Sequence, residues 1–243
     1  MVRMMRSEWM KLRRTVIWIL AAASPLLAAA AGFFGTRGSG EEGLEWPLLL
    51  GLMAALHAML FLPLLTGVFA ALLCRFEHAG GGWKQLLAMP VSRTQVFMVK
   101  FIYVMLLLAG VQLLFLAAVL LVGFSLGFPG AVPWKEMLTS VIGGWVACLP
   151  LAALQLGVST ALPSFAAPLA VNVVLTLPNM LIINSADYGP YYPWAQPLLA
   201  MLPSVENNFG ALNVPSVSLF GVILGSFVVF LVAGWGYFMR KAV

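Results

Sequence analysis

Gly80-Gly81-Gly82-Trp83-Lys84 is the stretch that most resembles a phosphate cradle, and it fails as one. It lacks the GxxxxGK[ST] spacing, the hydroxyl that would hold magnesium and a buried strand before it. There is no HExxH, no paired-carboxylate constellation and no Ser/His/Asp set, and the two histidines, His57 and His78, fall on different faces of the membrane layout. The sequence therefore predicts no intrinsic catalysis, no bound cofactor and no metal site. Cys74 and Cys148 lie in or beside apolar runs without CxxC spacing, which predicts buried free thiols.

Two sets of polar residues remain. His57, Gln112, Gln155 and Asn172 sit inside strongly apolar stretches, with Asn179 and Asn184 near the end of one. Polar groups at membrane depth are costly and turn toward a bundle interior or a wet cavity. They support two readings: a substrate path lined by these four, or interhelical hydrogen bonds worth about 0.6–2 kcal/mol each. Hydrogen bonding is favoured residue by residue. No carboxylate lies in mid-span, so a proton or sodium relay has little to work with.

The second set is the polar interval Arg75 to Lys100, RFEHAGGGWKQLLAMPVSRTQVFMVK. Trp83, Leu86, Leu87 and Met89–Pro90 make a short helix with one apolar face. Glu77, Lys84 and Arg93 supply charges for a groove on another protein. Pro90 ends that helix, Ser92 caps the next, and Lys100 snorkels from the start of a membrane span.

These residues are held by an unusually apolar chain. Of 243 residues, 62% are hydrophobic and 9% charged, against about 45–50% and about 25% in soluble domains. The chain reads as an integral membrane protein of one transmembrane domain, residues 1–243. The net charge of +5 does not indicate nucleic acid, because the basic residues flank apolar segments instead of forming one patch. Residues 1–14 place Met1, Met4, Met5, Trp9 and Leu12 on one helical side, with Arg3, Arg6, Lys11, Arg13 and Arg14 around the rest. That pattern predicts an interfacial helix. A signal peptide competes, but the apolar run from Thr15 is of spanning length and no soluble domain comes after it. Spans are expected at 15–35, 47–74, 101–124, 138–161, 165–184 and 217–238. A coupling loop occupies 75–93 and an outer segment 187–213. Pro25 is expected to kink the first span, and Leu162-Pro163-Ser164 breaks the uncharged run from Met137 to Ala186.

Orientation comes from the basic residues. With six spans and both termini inside, 11 of the 13 Lys and Arg lie inside, and only Arg37 and Lys135 outside. An odd number of spans would put Arg240 and Lys241 outside.

The order Glu77, Gly-rich turn, Trp83-Lys84-Gln85-Leu86-Leu87-Ala88-Met89-Pro90-Val91-Ser92-Arg93, then Lys100 resembles the permeases of the ABC type-2 transporter family. There, an acidic residue, an "LL..PVSR" segment and a lysine form the first cytoplasmic loop, whose coupling helix docks on an ATP-hydrolysing subunit. Tyr191-Tyr192-Pro193-Trp194-Ala195-Gln196-Pro197 resembles the outer segment of lantibiotic-immunity and bacitracin-type exporter permeases, with a broken, partly re-entrant element that Leu198 to Leu202 supplies. An aromatic belt at the membrane surface is the competing reading. The resemblance implies an all-α type-2 ABC exporter fold with ATPase-docking residues Glu77, Trp83, Lys84, Leu86, Leu87 and Arg93. It marks Tyr192, Pro193, Trp194 and Pro197 in the outer segment. It also implies two copies of a separate ATPase holding ATP and magnesium, and a second permease, identical or not, in a bacterial cytoplasmic membrane. The implied function is export of a hydrophobic or amphipathic substrate, such as an antimicrobial peptide in lantibiotic self-immunity; other drugs or lipids are alternative substrates. The alternative is a non-transporting sensor or peptide-binding immunity protein.

Overall fold

Apolar stretches of this length satisfy their backbone in lipid by coiling into helices whose hydrogen bonds stay inside the segment. The computed structural model describes residues 2–13, 15–37, 44–78, 82–88, 90–202 and 214–241, and the regular elements among them are helical. They are α1 (Val2–Leu12), α2 (Ile17–Thr36), α3 (Glu45–His78), α4 (Gly82–Ala88), α5 (Arg93–Ser125), α6 (Trp134–Ala161), α7 (Ala166–Ile182), α8 (Gln196–Met201) and α9 (Ser216–Arg240), with a 3₁₀ turn at Gly189–Tyr191. Among the described residues, α2, α3, α5, α6 and α9 are long and apolar enough to cross a membrane. The stretch expected as a fifth span of six is the shorter α7, which breaks at Leu177–Pro178.

The helices also outrun the expected spans. α3 continues through Glu77 to His78, and α5 begins at Arg93, well before Phe101. Between them, the short helix expected from Trp83 toward Pro90 is α4. Ser92 caps α5 as its type suggests, its Oγ accepting the Gln95 N–H at 3.2 Å. Gly80, Gly81 and Met89 lie outside the described residues, as do Glu41, Glu42 and residues 203–213 of the expected outer segment.

Prolines set the irregularities. α2 runs on through the buried Pro25. In α3, Pro63 has no N–H to give the Met59 carbonyl, and the chain widens into a π turn at His57–Phe61 just before it. Leu62 N–H reaches back five residues to the His57 carbonyl. α6 is jointed at Cys148, two residues before Pro150, where the Cys148 N–H takes the Trp145 carbonyl at 3.2 Å. α5 and α6 form the centre, with Phe97, Leu108 and Phe115 of α5 fully buried. α9 is the least buried of the spans and packs on α6. The two backbones close at Gly157 and Gly234: a Cβ on Gly157 would lie 3.2 Å from the Gly234 Cα.

Candidate functional site

α1 presents two faces. Met4, Glu8 and Leu12, four residues apart, are buried, while Arg6, Trp9, Met10 and Arg13 are exposed. The buried face carries Glu8 to the ends of α3 and α5, where four charged side chains meet. Lys11 Nζ donates to Glu8 Oε1 at 2.9 Å and to Glu77 Oε1 at 2.6 Å. Lys100 Nζ donates to Glu77 Oε2 at 2.9 Å, to the Leu73 carbonyl at 2.5 Å and to Glu8 Oε1 at 3.4 Å. Lys100 is 0% exposed, Glu8 1% and Glu77 4%. Two carboxylates and two ammonium groups cancel, and short mutual bonds offset the cost of removing them from water. The expectation that Lys100 snorkels to the surface is corrected here, because two carboxylates and a carbonyl hold its ammonium inside.

α4 lies directly against this cluster. The buried Trp83 ring has Lys100 Nζ 5.8 Å from its centre and Lys241 Nζ at 5.5 Å. Trp83 Nε1–H donates to His78 Nδ1 at 3.2 Å, so His78 donates through Nε2–H to the Ser159 carbonyl at 2.7 Å. Lys241 donates to the Thr160 carbonyl at 2.5 Å, and burial pulls its ammonium below the usual lysine range. Arg93 Nη1 donates to the carbonyls of Phe238, Met239 and Lys241 at 3.3, 3.1 and 2.6 Å, capping the end of α9. Glu77, Trp83 and Arg93, expected at the docking contact, are each held by the chain's own helices. Leu86 is half-buried against the core, and the Leu87 side chain is not among those described. The outward face of α4 and the turn after it consists of Lys84, Gln85, Ala88 and Pro90.

The four intramembrane polar residues divide into two buried groups that bond helices to one another. Ser24 Oγ lies 2.6 Å from His57 Nδ1, and Gln112 Oε1 lies 3.2 Å from His57 Nε2. Gln112 Nε2 donates to the Val141 carbonyl at 3.2 Å, which fixes its amide, so the pattern suits a neutral imidazole protonated on Nε2. The ring stacks on Phe115 at 4.4 Å. In the other group, Asn172 Oδ1 accepts from Gln155 Nε2 and from Trp194 Nε1, each at 2.9 Å. Its Nδ2 donates to the carbonyls of Pro63 and Leu64 at 3.0 and 3.3 Å. Gly67 makes this possible, since a Cβ there would lie 2.3 Å from Asn172 Nδ2. Asn179 Nδ2 donates to the Met59 carbonyl at 2.8 Å, the acceptor Pro63 leaves free, and to the Trp194 carbonyl at 2.9 Å.

Residues 189–202 fold back into the bundle to meet these groups. Pro193, Trp194 and Pro197 are buried, and the half-buried Tyr192 donates its hydroxyl to the Leu175 carbonyl beside the break in α7. Burial pushes the Tyr192 phenol above its usual range. Ser140 Oγ donates to the Met201 carbonyl at 2.8 Å, pinning the end of α8 to α6. Trp194 is 4% exposed and sits inside the protein, whereas Tyr188 and Tyr191 are exposed.

Sequence reasoning missed Glu8 and the inward role of Lys11. The available signal was that Glu8 is the sole acid among residues 1–14, three positions before a lysine. Ser24, Gln196 and Trp145 were also missed. Trp145 Nε1–H donates to the Met105 carbonyl at 2.9 Å. Among the described residues no group of three or more His, Cys, Asp or Glu side chains is placed to hold a metal, and Cys74 and Cys148 are buried free thiols.

A search of curated proteins found no match to the chain. Residues 4–179, from α1 into the last turn of α7, match the family described as ABC-2 family transporter protein. That family supplies membrane-spanning subunits of ABC transporters, and the multiple apolar helices agree with a multi-pass membrane protein. With well over half of its length matched, this chain belongs to the ABC-2 transporter family.

Proposed function

We propose that the chain is the permease subunit of an ATP-driven exporter and that α4 is the lever through which a separate ATPase moves it. In this reading the termini and α4 face the cytoplasm, α7 completes a sixth crossing, and the chain pairs with itself or with a second permease. Two ATPase copies dock below, holding ATP and magnesium. The docking contact is the outward face at Lys84, Gln85, Ala88 and Pro90, with Leu86 at its margin and Leu87 assigned by resemblance alone. Glu77, Trp83 and Arg93 act behind that face as its brace.

The observation that carries this reading is the bracing of α4. The Trp83 ring lies close to ammonium groups from α5 and from the residue after α9, and Lys100 leads through Glu77 to α3 and α1. A push on α4 therefore acts on helices from both ends of the sequence together. The substrate proposed is hydrophobic or amphipathic, an antimicrobial peptide of the lantibiotic class. Its support is the segment around Tyr192, Pro193, Trp194 and Pro197, which folds back among the helices as the resemblance to immunity permeases implies.

Purification of the tagged full chain from its native cells tests this. The expected result is a stable complex with a soluble ATPase whose turnover rises in the presence of the chain. Protection against peptide in cells that lack any such ATPase would instead indicate a non-transporting immunity protein and overturn the proposal.

A further inference from the structure

An apolar groove of about 570 Å³ opens on the outer side of the bundle where α1, α2 and α5 meet. Trp9, Trp18, Tyr103, Leu107, Gly110 and Leu114 line it. From Tyr103 to Leu114 the groove tracks α5 for about 16 Å at 1.5 Å per residue. That is close to half of a hydrocarbon core about 30 Å thick, the depth of one leaflet. Gly110 opens its floor, because a Cβ there would meet no atom within 4 Å.

The mouth differs in chemistry from the floor. Trp9 and Trp18 meet edge to face with ring centres 5.7 Å apart and stay partly exposed. Among the described residues, neither indole N–H has an acceptor. Paired indoles with free donors suit the headgroup level of a bilayer. Arg6 and Arg13, three before and four after Trp9, share its exposed face of α1. No acid shares that face, since Glu8 is turned to the opposite side and bound to Lys11 and Lys100. Among the described residues no carboxylate is paired with Arg6 or Arg13.

We propose that this groove holds an acyl chain of one anionic phospholipid, with its phosphate against Arg6, Arg13 and the two indole N–H groups. The length of the groove matches one leaflet, and the charge at its mouth selects the headgroup. The bound lipid clamps α1 from outside while the ion cluster holds it from within. This site depends on neither the direction of transport nor the identity of the ATPase.

The test reconstitutes the purified full chain in vesicles of equal phosphatidylcholine and phosphatidylglycerol, extracts it in mild detergent and counts retained lipids by native mass spectrometry. One phosphatidylglycerol per chain is expected, preferred over phosphatidylcholine on the order of tenfold. Gly110→Trp should remove the retained lipid, whereas Gly110→Ala, which adds a methyl to open space, should keep it. Arg6→Gln with Arg13→Gln, at exposed positions that leave the core intact, should abolish the preference even if Gly110→Trp fails to fold. Retention of the two lipids in their vesicle ratio by the wild type, unchanged retention in Gly110→Trp, or a dimer that carries no lipid would overturn the proposal.

Discussion

At the end of the bundle that carries α4, two carboxylates and two lysines meet, with Glu8, Glu77 and Lys100 buried and Lys11 partly exposed. In the interior of the same helices, around His57 and Asn172, the buried hydrogen-bonding side chains form neutral networks. Both regions join helices distant in sequence, and the difference lies in what happens when one member is lost. A neutral network missing one partner leaves an amide or indole unpaired, and nearby carbonyls offer substitutes. The ion cluster missing one partner leaves a charge with no water to solvate it. Charge is placed where a helix end must be held in a single position, and neutral bonds where helices need to stay in register.

Changes that break the ion cluster should have the largest effect. Lys100→Met leaves Glu8 and Glu77 with only the partly exposed Lys11, and should cost about 3–5 kcal/mol. Thermal unfolding of the purified chain in detergent would read this as a marked fall in Tm. Exchanging the pair, Glu77→Lys with Lys100→Glu, should recover part of the loss but not all of it, because Lys11 would then face a lysine at 77.

The neutral hub should be less sensitive. Asn172→Leu removes the acceptor of both Gln155 and Trp194, and should cost about 1–3 kcal/mol by the same measurement. A loss as large as that of Lys100→Met would erase the proposed difference between the two regions.

A smaller effect probes how the neutral bonds substitute for one another. Asn179→Leu should cost about 0.6–1.7 kcal/mol in the wild-type background. It should cost much less in Pro63→Ala, because an alanine N–H at 63 can bond the Met59 carbonyl itself. A double-mutant cycle measures this coupling, and equal costs in both backgrounds would show that the asparagine does not substitute for the missing backbone donor.

The sequence exposed some of this and concealed the rest for physical reasons. Apolar composition and length located the helical stretches, and Leu162-Pro163-Ser164 located the break between α6 and α7, whereas the joint in α6 before Pro150 and the break in α7 at Pro178 were not anticipated. The short helix expected inside 75–93 is α4, and the rest of that loop is shortened because polar residues at the ends of α3 and α5 extend helices already nucleated by their apolar parts. Lys100 looked like a snorkelling residue because the sequence around it contains no acid except Glu77. Its other anionic partner, Glu8, arrives from 92 residues earlier, and residue spacing carries no record of that meeting. The contact between Asn179 and Met59 was hidden in the same way, although Pro63 guaranteed that some carbonyl of α3 would need a donor.

The sharpest test lies in α4, where the buried brace and the outward face are only one residue apart. Lys84→Glu alters an exposed side chain with no bond in the brace, while Trp83 beside it keeps the Lys100 and Lys241 ammonium groups near its ring. The measurement is recovery of the soluble ATPase with the purified chain, taken alongside the Tm of that chain. Lys84→Glu should leave Tm unchanged and sharply reduce ATPase recovery. Wild-type ATPase recovery with Lys84→Glu would contradict the assignment of α4 as the docking lever.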